Sequence, residues 1–182
     1  MNASRSRVVT AVGAAGLVLV GTLAVATFVR GGFGPGQRDV LVNCGPRHPA
    51  GQVVNVTLSD RGGAMMGANN LMMVSLDASP NIVSTGTITF VATNVGAMNH
   101  EFLVLPAPAD GVGTRASGVD GRIDESGSLG EASTSCGAGA GQGISPGATS
   151  WVTVTLAPGH YELLCDEPWH YANGMFAGFT VT

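Results

Sequence analysis

GHYELLCDEPWHYANGMFAGFTVT, residues 159–182, decides how this chain is read. Inside it Cys165, His170 and Met175 stand at even spacing, Cys-x4-His-x4-Met. HYELLC, 160–165, reads as a strand, and MFAGFTVT, 175–182, reads as the strand that returns. Between them Pro168, Asn173 and Gly174 supply turn chemistry. A loop joining two adjacent strands therefore brings a thiol, an imidazole and a thioether to one point. Side chains alternate along a strand, so Tyr161, Leu163 and Cys165 share one face. His160 begins the opposite face and is set aside as a ligand.

Working outward, TITFVATNVGAMNHEFLVLP, 87–106, supplies a fourth group, His100. The strand expected at 85–94 puts Ile88, Phe90 and Ala92 on one face, and HEFLVL, 100–105, continues as strand. His100, Cys165 and His170, with Met175 as a weak fourth contact, make up the donor set of a single copper ion that cycles between Cu(I) and Cu(II). Soft sulfur suits Cu(I), and imidazole suits both states. Ligands split between a loop and a distant strand suit a barrel-like sandwich with the metal at one end. Blander readings exist. A lone cysteine in an apolar strand is usually a small buried hydrophobe, and a lone methionine usually packs the core. A Cys–His pair can be nucleophile and base, but no orienting third group accompanies this one. Zinc can take Cys-His-His with an open position, but the methionine and the loop spacing argue against it.

Asn99-His100-Glu101-Phe102, Gly159-His160-Tyr161 ahead of Cys165, the Cys-x4-His-x4-Met run and Gly178 together resemble the cupredoxin, or blue-copper, family. The likeness is to its rusticyanin and sulfocyanin branch, and it covers residues 55–182 with a divergent middle. The resemblance implies an all-β Greek-key sandwich of seven or eight strands, one type 1 copper, and transfer of single electrons between protein redox partners rather than catalysis. It also implies a backbone hydrogen bond to the thiolate, with Asn99 as the residue supporting the site beside His100. His170, between Trp169 and Tyr171, is expected to bring its ring edge to the surface as the electron gateway. An extracytoplasmic copper chaperone or storage protein is the alternative use of the same ligands. A copper enzyme needs a second centre, for which His48 and His160 are too few and too scattered.

Composition agrees with such a domain. The 182 residues allow one domain plus an anchor or tail. Charged residues are only 11% and lysine is absent, while β-branched runs broken by glycine and proline point to short strands. A net charge of −4 without lysine makes a poor nucleic-acid binder. Residues 8–29 carry no charge; at ~1.5 Å per residue they reach ~33 Å, enough for a hydrocarbon core of ~30 Å. Arg5 and Arg7 precede them, so the N-terminus is expected to stay cytoplasmic and the rest to lie outside the membrane. Ala24-Val25-Ala26 keeps a cleaved signal peptide open as the other reading. The chain then divides into an anchor or signal at 1–30, a spacer at 31–37 and the domain at 38–182. With Cys165 assigned to copper, Cys44 and Cys136 remain, and an exported domain permits them to pair as a disulfide.

Further strands are expected at 39–43, 52–59, 71–76 and 149–156, with a turn at 77–80. Met65, Met66, Met72 and Met73 suggest a Cu(I)-carrying cluster or, more simply, adaptable packing. Residues 106–148, rich in Gly and Ser, read as a long insertion. It is expected to hold a short helix near 121–129 or to form a surface excursion pinned by Cys136.

Overall fold

The structure, a computed structural model, describes residues 44–60 and 73–182. The expectations for the apolar segment at 8–29, the spacer at 31–37, the strand at 39–43 and Met65, Met66 and Met72 lie outside the described residues. Among the described residues no helix is long and apolar enough to cross a membrane.

Among the described residues nine strands follow in order: β1 Gln52–Asp60, β2 Val74–Ser79, β3 Ile82–Val83, β4 Gly86–Asn94, β5 Phe102–Pro106, β6 Gly130–Ala132, β7 Thr149–Leu156, β8 Gly159–Leu164 and β9 Phe176–Val181. They form two sheets, ordered β2-β1-β4-β7 and β3-β9-β8-β5-β6. The fold is an all-β sandwich, as the alternation in the strand sequences implies. Two pairs, β1/β4 and β3/β9, are parallel, the rest antiparallel. The turn expected at 77–80 is displaced, because β2 runs on through Ser79 as Asn55 to Asp60 pair with Ser79 to Val74.

The core lies between the sheets. Val54, Val56 and Leu58 of β1 and Ile88, Phe90 and Ala92 of β4 face Phe102, Val104, Tyr161, Leu163 and Phe179 of the other sheet. Phe90 makes the central contact, with ring centroids 5.4 Å from Phe102 and 5.1 Å from Phe179. The chosen face of β4 is thus the core face.

β5 and β8 are buried on both sides. Their outward residues Leu103, Leu105 and Leu164 form a second apolar cluster with Ile123 and Tyr171. The cover comes from residues 106–129, which fold back over the sheet. Residues 121–129 run through turns rather than the expected short helix. Nor is the insertion an excursion held by Cys136 alone. β6 pairs with β5, Ile144 enters the main core, and Thr134 and Ala138 bridge to Gly143 and Trp151. The physical reason is the unbroken apolar run of β5, FLVL, which has no solvent face and needs a covering layer. Cys44 and Cys136 are disulfide-bonded, as expected, with Cα atoms 5.0 Å apart.

Candidate metal centre

His100, Cys165 and His170 meet at one end of the sandwich. His100 follows the 95–99 turn at the end of β4. Asn94 shapes that turn: fully buried, it donates from Nδ2 to the Met98 and Ile144 carbonyls, 2.7 Å each, and accepts the Gly96 N–H at 2.8 Å. A two-way backbone bridge to Ile144 then fixes His100 itself. Cys165 follows the last residue of β8, and its N–H donates to the Met175 carbonyl at 3.1 Å, which ties the two ends of the loop together. Within the loop Met175 N–H donates to the His170 carbonyl, and a single 3-10 turn, Tyr171–Asn173, is closed by Gly174 at φ +94°. That left-handed position suits glycine.

The three donor atoms form a triangle. His100 Nδ1 and His170 Nδ1 are 3.2 Å apart, and Cys165 Sγ lies 3.4 Å from His170 Nδ1 and 3.9 Å from His100 Nδ1. A point equidistant from corners at those spacings lies about 2 Å from each, which matches the ~2.0–2.1 Å that imidazole makes to a divalent first-row metal and is a few tenths of an ångström inside the ~2.3 Å of a thiolate. All three residues are buried, and so is Met175. The donor set therefore fits a metal ion, and its mixture of one thiolate with two imidazoles fits copper.

The surroundings prepare the ligands. Burial pushes the Cys165 thiol up to about 12, against the N–H groups of Glu101 and Glu167 that pull it down. Metal binding must then displace the proton. Burial, reinforced by the neighbouring His100, holds His170 down at about 4, and burial also lowers His100. Both rings are neutral at pH 7, with lone pairs free to bind. Glu101 N–H donates to Cys165 Sγ at 3.3 Å. The backbone bond to sulfur expected from the resemblance thus comes from Glu101, the residue after His100, while Asn99 is exposed. His100 Nε2 meets Asp60 Oδ2 at 3.0 Å.

Behind the loop, Arg122 gathers carboxylates from both ligand-bearing segments. Its Nη1 donates to Glu101 Oε2 at 2.9 Å and to the Asp166 carbonyl at 2.7 Å, and Nη2 lies 3.5 Å from Glu167 Oε2. On the sheet's outer side, buried Glu162 accepts from Arg115 Nε at 2.6 Å, the Tyr171 hydroxyl at 2.9 Å and Gly113 N–H at 2.7 Å. These contacts lash the insertion to the residues flanking Cys165 and His170. One departure from expectation follows. His170 is only 4% exposed, and it is Trp169, half exposed, that reaches solvent beside it. His48 and His160 stand away from the cluster, His160 facing Thr180 at the surface.

No protein-family description matches the chain, and no curated protein matches it either. Solved structures do. A dithionite-reduced auracyanin from Roseiflexus castenholzii aligns over 74% of this chain and 99% of its own, at 22% identity and a TM-score of 0.48. Auracyanin A from Chloroflexus aurantiacus aligns over 71% and 99%, at 19% and 0.44. A reduced rusticyanin aligns over 73% and 81%, at 18% and 0.42. On its own topology and donor cluster, the chain is a two-sheet β-sandwich carrying a buried His-Cys-His group.

Proposed function

We propose that this chain binds one copper ion, which His100, Cys165 and His170 would hold with Met175 as a weak fourth donor, and carries single electrons between protein partners outside the cytoplasmic membrane. The observation that carries the reading is the buried triangle of donor atoms around a point about 2 Å from each. Copper, when bound, supplies the one-electron couple.

The chain's own residues do the rest. Backbone bonds at both ends of the loop and at His100 hold the donors before metal arrives, so little need move when the charge of the site changes. Burial excludes water. The Glu101 N–H stabilises negative charge on sulfur once the thiol proton has left. Trp169, beside His170 and half exposed, offers an aromatic contact for a partner protein. The Cys44–Cys136 disulfide supports an oxidising compartment, and the uncharged stretch at 8–29 behind Arg5 and Arg7 supports a membrane anchor or export signal.

The test is the visible and EPR spectrum of the full chain loaded with Cu(II). We expect intense charge-transfer absorption and a narrow copper hyperfine splitting, both lost in Cys165→Ser. A pale solution with an ordinary copper signal sinks the reading. Copper that stays through repeated redox cycles supports a carrier, whereas copper surrendered to an acceptor protein on reduction points to delivery.

A further inference from the structure

We infer that Asp60 is a positioning residue of the metal centre, holding His100 with its proton on Nε2 and favouring the more highly charged metal state. The inference rests on the copper reading above. Asp60 ends β1, in the sheet opposite the one that carries Cys165, and nothing in the sequence spacing pairs it with His100.

The contact is built rather than incidental. Asp60 Oδ2 lies 3.0 Å from His100 Nε2, and both side chains are fully buried. The same oxygen accepts the N–H groups of Ala97 at 2.8 Å and Met98 at 3.0 Å, in the turn that delivers His100. Gly96 makes room for it: a Cβ there would collide with Oδ2 and stand 2.8 Å from Cγ. An ionised carboxylate only accepts, so Nε2 must donate, and the lone pair is left on Nδ1, the atom that faces Cys165 and His170. Carboxylates in this position orient a metal-bound imidazole and raise its basicity. A buried negative charge one ring away also stabilises Cu(II) more than Cu(I), because attraction grows with the charge on the metal.

Two variants separate charge from position. Among the described residues Asp60 Oδ1 has no hydrogen-bond partner. In Asp60→Asn the amide oxygen can therefore take the place of Oδ2 and keep its three bonds while the charge is lost. Gly96→Ala leaves the charge and displaces the carboxylate. The full chain, its Asp60→Asn and its Gly96→Ala forms are loaded with copper and compared by visible spectrum, by Cu(II) and Cu(I) competition titration and by voltammetry. In all three the His100 Nε2–H is followed by NMR in the Cu(I) state.

We expect Cu(II) affinity to fall ~10–100-fold in either variant, with Cu(I) affinity falling less. Each tenfold change in their ratio reads as ~59 mV of higher potential. The Nε2–H should stay protected from exchange in the parent and Asp60→Asn and lose protection in Gly96→Ala. A Cu(II)/Cu(I) affinity ratio unchanged in Asp60→Asn overturns the charge role. A protected Nε2–H in Gly96→Ala overturns the positioning role, and if Asp60→Asn fails to fold, Gly96→Ala alone decides the inference. A parent without the charge-transfer band defeats the copper reading instead, and the Nε2–H exchange of the metal-free protein still reports on Asp60.

Discussion

Trp169 has φ +70°, a left-handed conformation that a bulky residue rarely takes and that costs about 1–2 kcal/mol. The local bonds that hold it there are specific. Trp169 N–H donates to the Gly121 carbonyl at 2.9 Å, and the Trp169 carbonyl accepts from Asn173 N–H at 3.1 Å and Asn173 Nδ2 at 2.8 Å. The indole lies against Gly121, where a Cβ would stand 2.7 Å from the ring. Strain and ring packing can be told apart by two substitutions. Trp169→Ala keeps the strain and loses the ring; Trp169→Gly loses both. We therefore expect the glycine variant to be more stable than the alanine variant by about 1 kcal/mol in urea titration. Equal midpoints would show that the backbone there is not strained. At this scale Cys165, His170 and His100 were legible because loop spacing and a strand end announce them. Asp60 was not, since a carboxylate in another sheet leaves no local signal, and neither was the Glu101 N–H, because a backbone donor has no residue type.

The insertion is the element least legible in sequence. Its composition suggested a loop, yet Ile123 and Ile144 are buried and β6 extends a sheet. The usable signal lay elsewhere, in FLVLP and in the pair Leu163-Leu164, where period-two alternation fails because both faces are covered. The insertion also brings Glu125 to Asp166, and there it leaves a titration. Partial desolvation beside the cluster, then the hydrogen bond and charge of Asp166, push the exposed Glu125 up to about 7. Glu101, Asp166 and Glu167 are raised too, each by burial first. A carboxyl whose folded value lies above its unfolded 4.5 holds its proton longer in the folded state. Its contribution to stability is therefore full below pH ~4.5 and is lost as pH rises through about 7. His100 and His170, depressed by burial, act in the opposite sense, so the informative quantity is the difference between parent and variant. Glu125→Gln keeps a donor for Asp166 and cannot titrate. The metal-free variant, unfolded in urea at pH 5 and 7.5, should lose less stability across that interval than the parent does. An identical change in both would mean that Glu125 titrates as a free surface group.

For the molecule as a whole, β1, β4, β5, β7, β8 and β9 could be read as strands, but β3, β6 and the order of strands within each sheet could not. The parallel partnerships β1/β4 and β3/β9 join segments whose neighbours are set by the whole sandwich, and no local pattern encodes them. The Phe90, Phe102 and Phe179 cluster at the centre unites the sheets, and one disulfide secures the side of the first sheet. Cys44 precedes β1, and Cys136 lies in the insertion, its N–H donating to the Thr149 carbonyl of β7 at 2.8 Å. The bond thus ties the entry to the first described strand to the part of the insertion nearest the opposite end of the same sheet. It spans 92 positions of sequence, and closing so long a loop removes unfolded-state entropy worth about 4.6 kcal/mol on chain-entropy grounds. A Cys44→Ser, Cys136→Ser double variant should therefore unfold roughly 9–18 °C lower than the parent, given ~2–4 °C per kcal/mol for a chain of this size. Because Cys165 is held by backbone bonds to Met175 and Glu101, and not by this bridge, the copper-loaded variant should keep the parent's visible spectrum until it melts. A changed spectrum at 20 °C would show that the bridge shapes the metal centre as well as the unfolded chain. A melting point within 2 °C of the parent's would show that the insertion's hydrogen bonds and Ile144 hold it in place without the bridge.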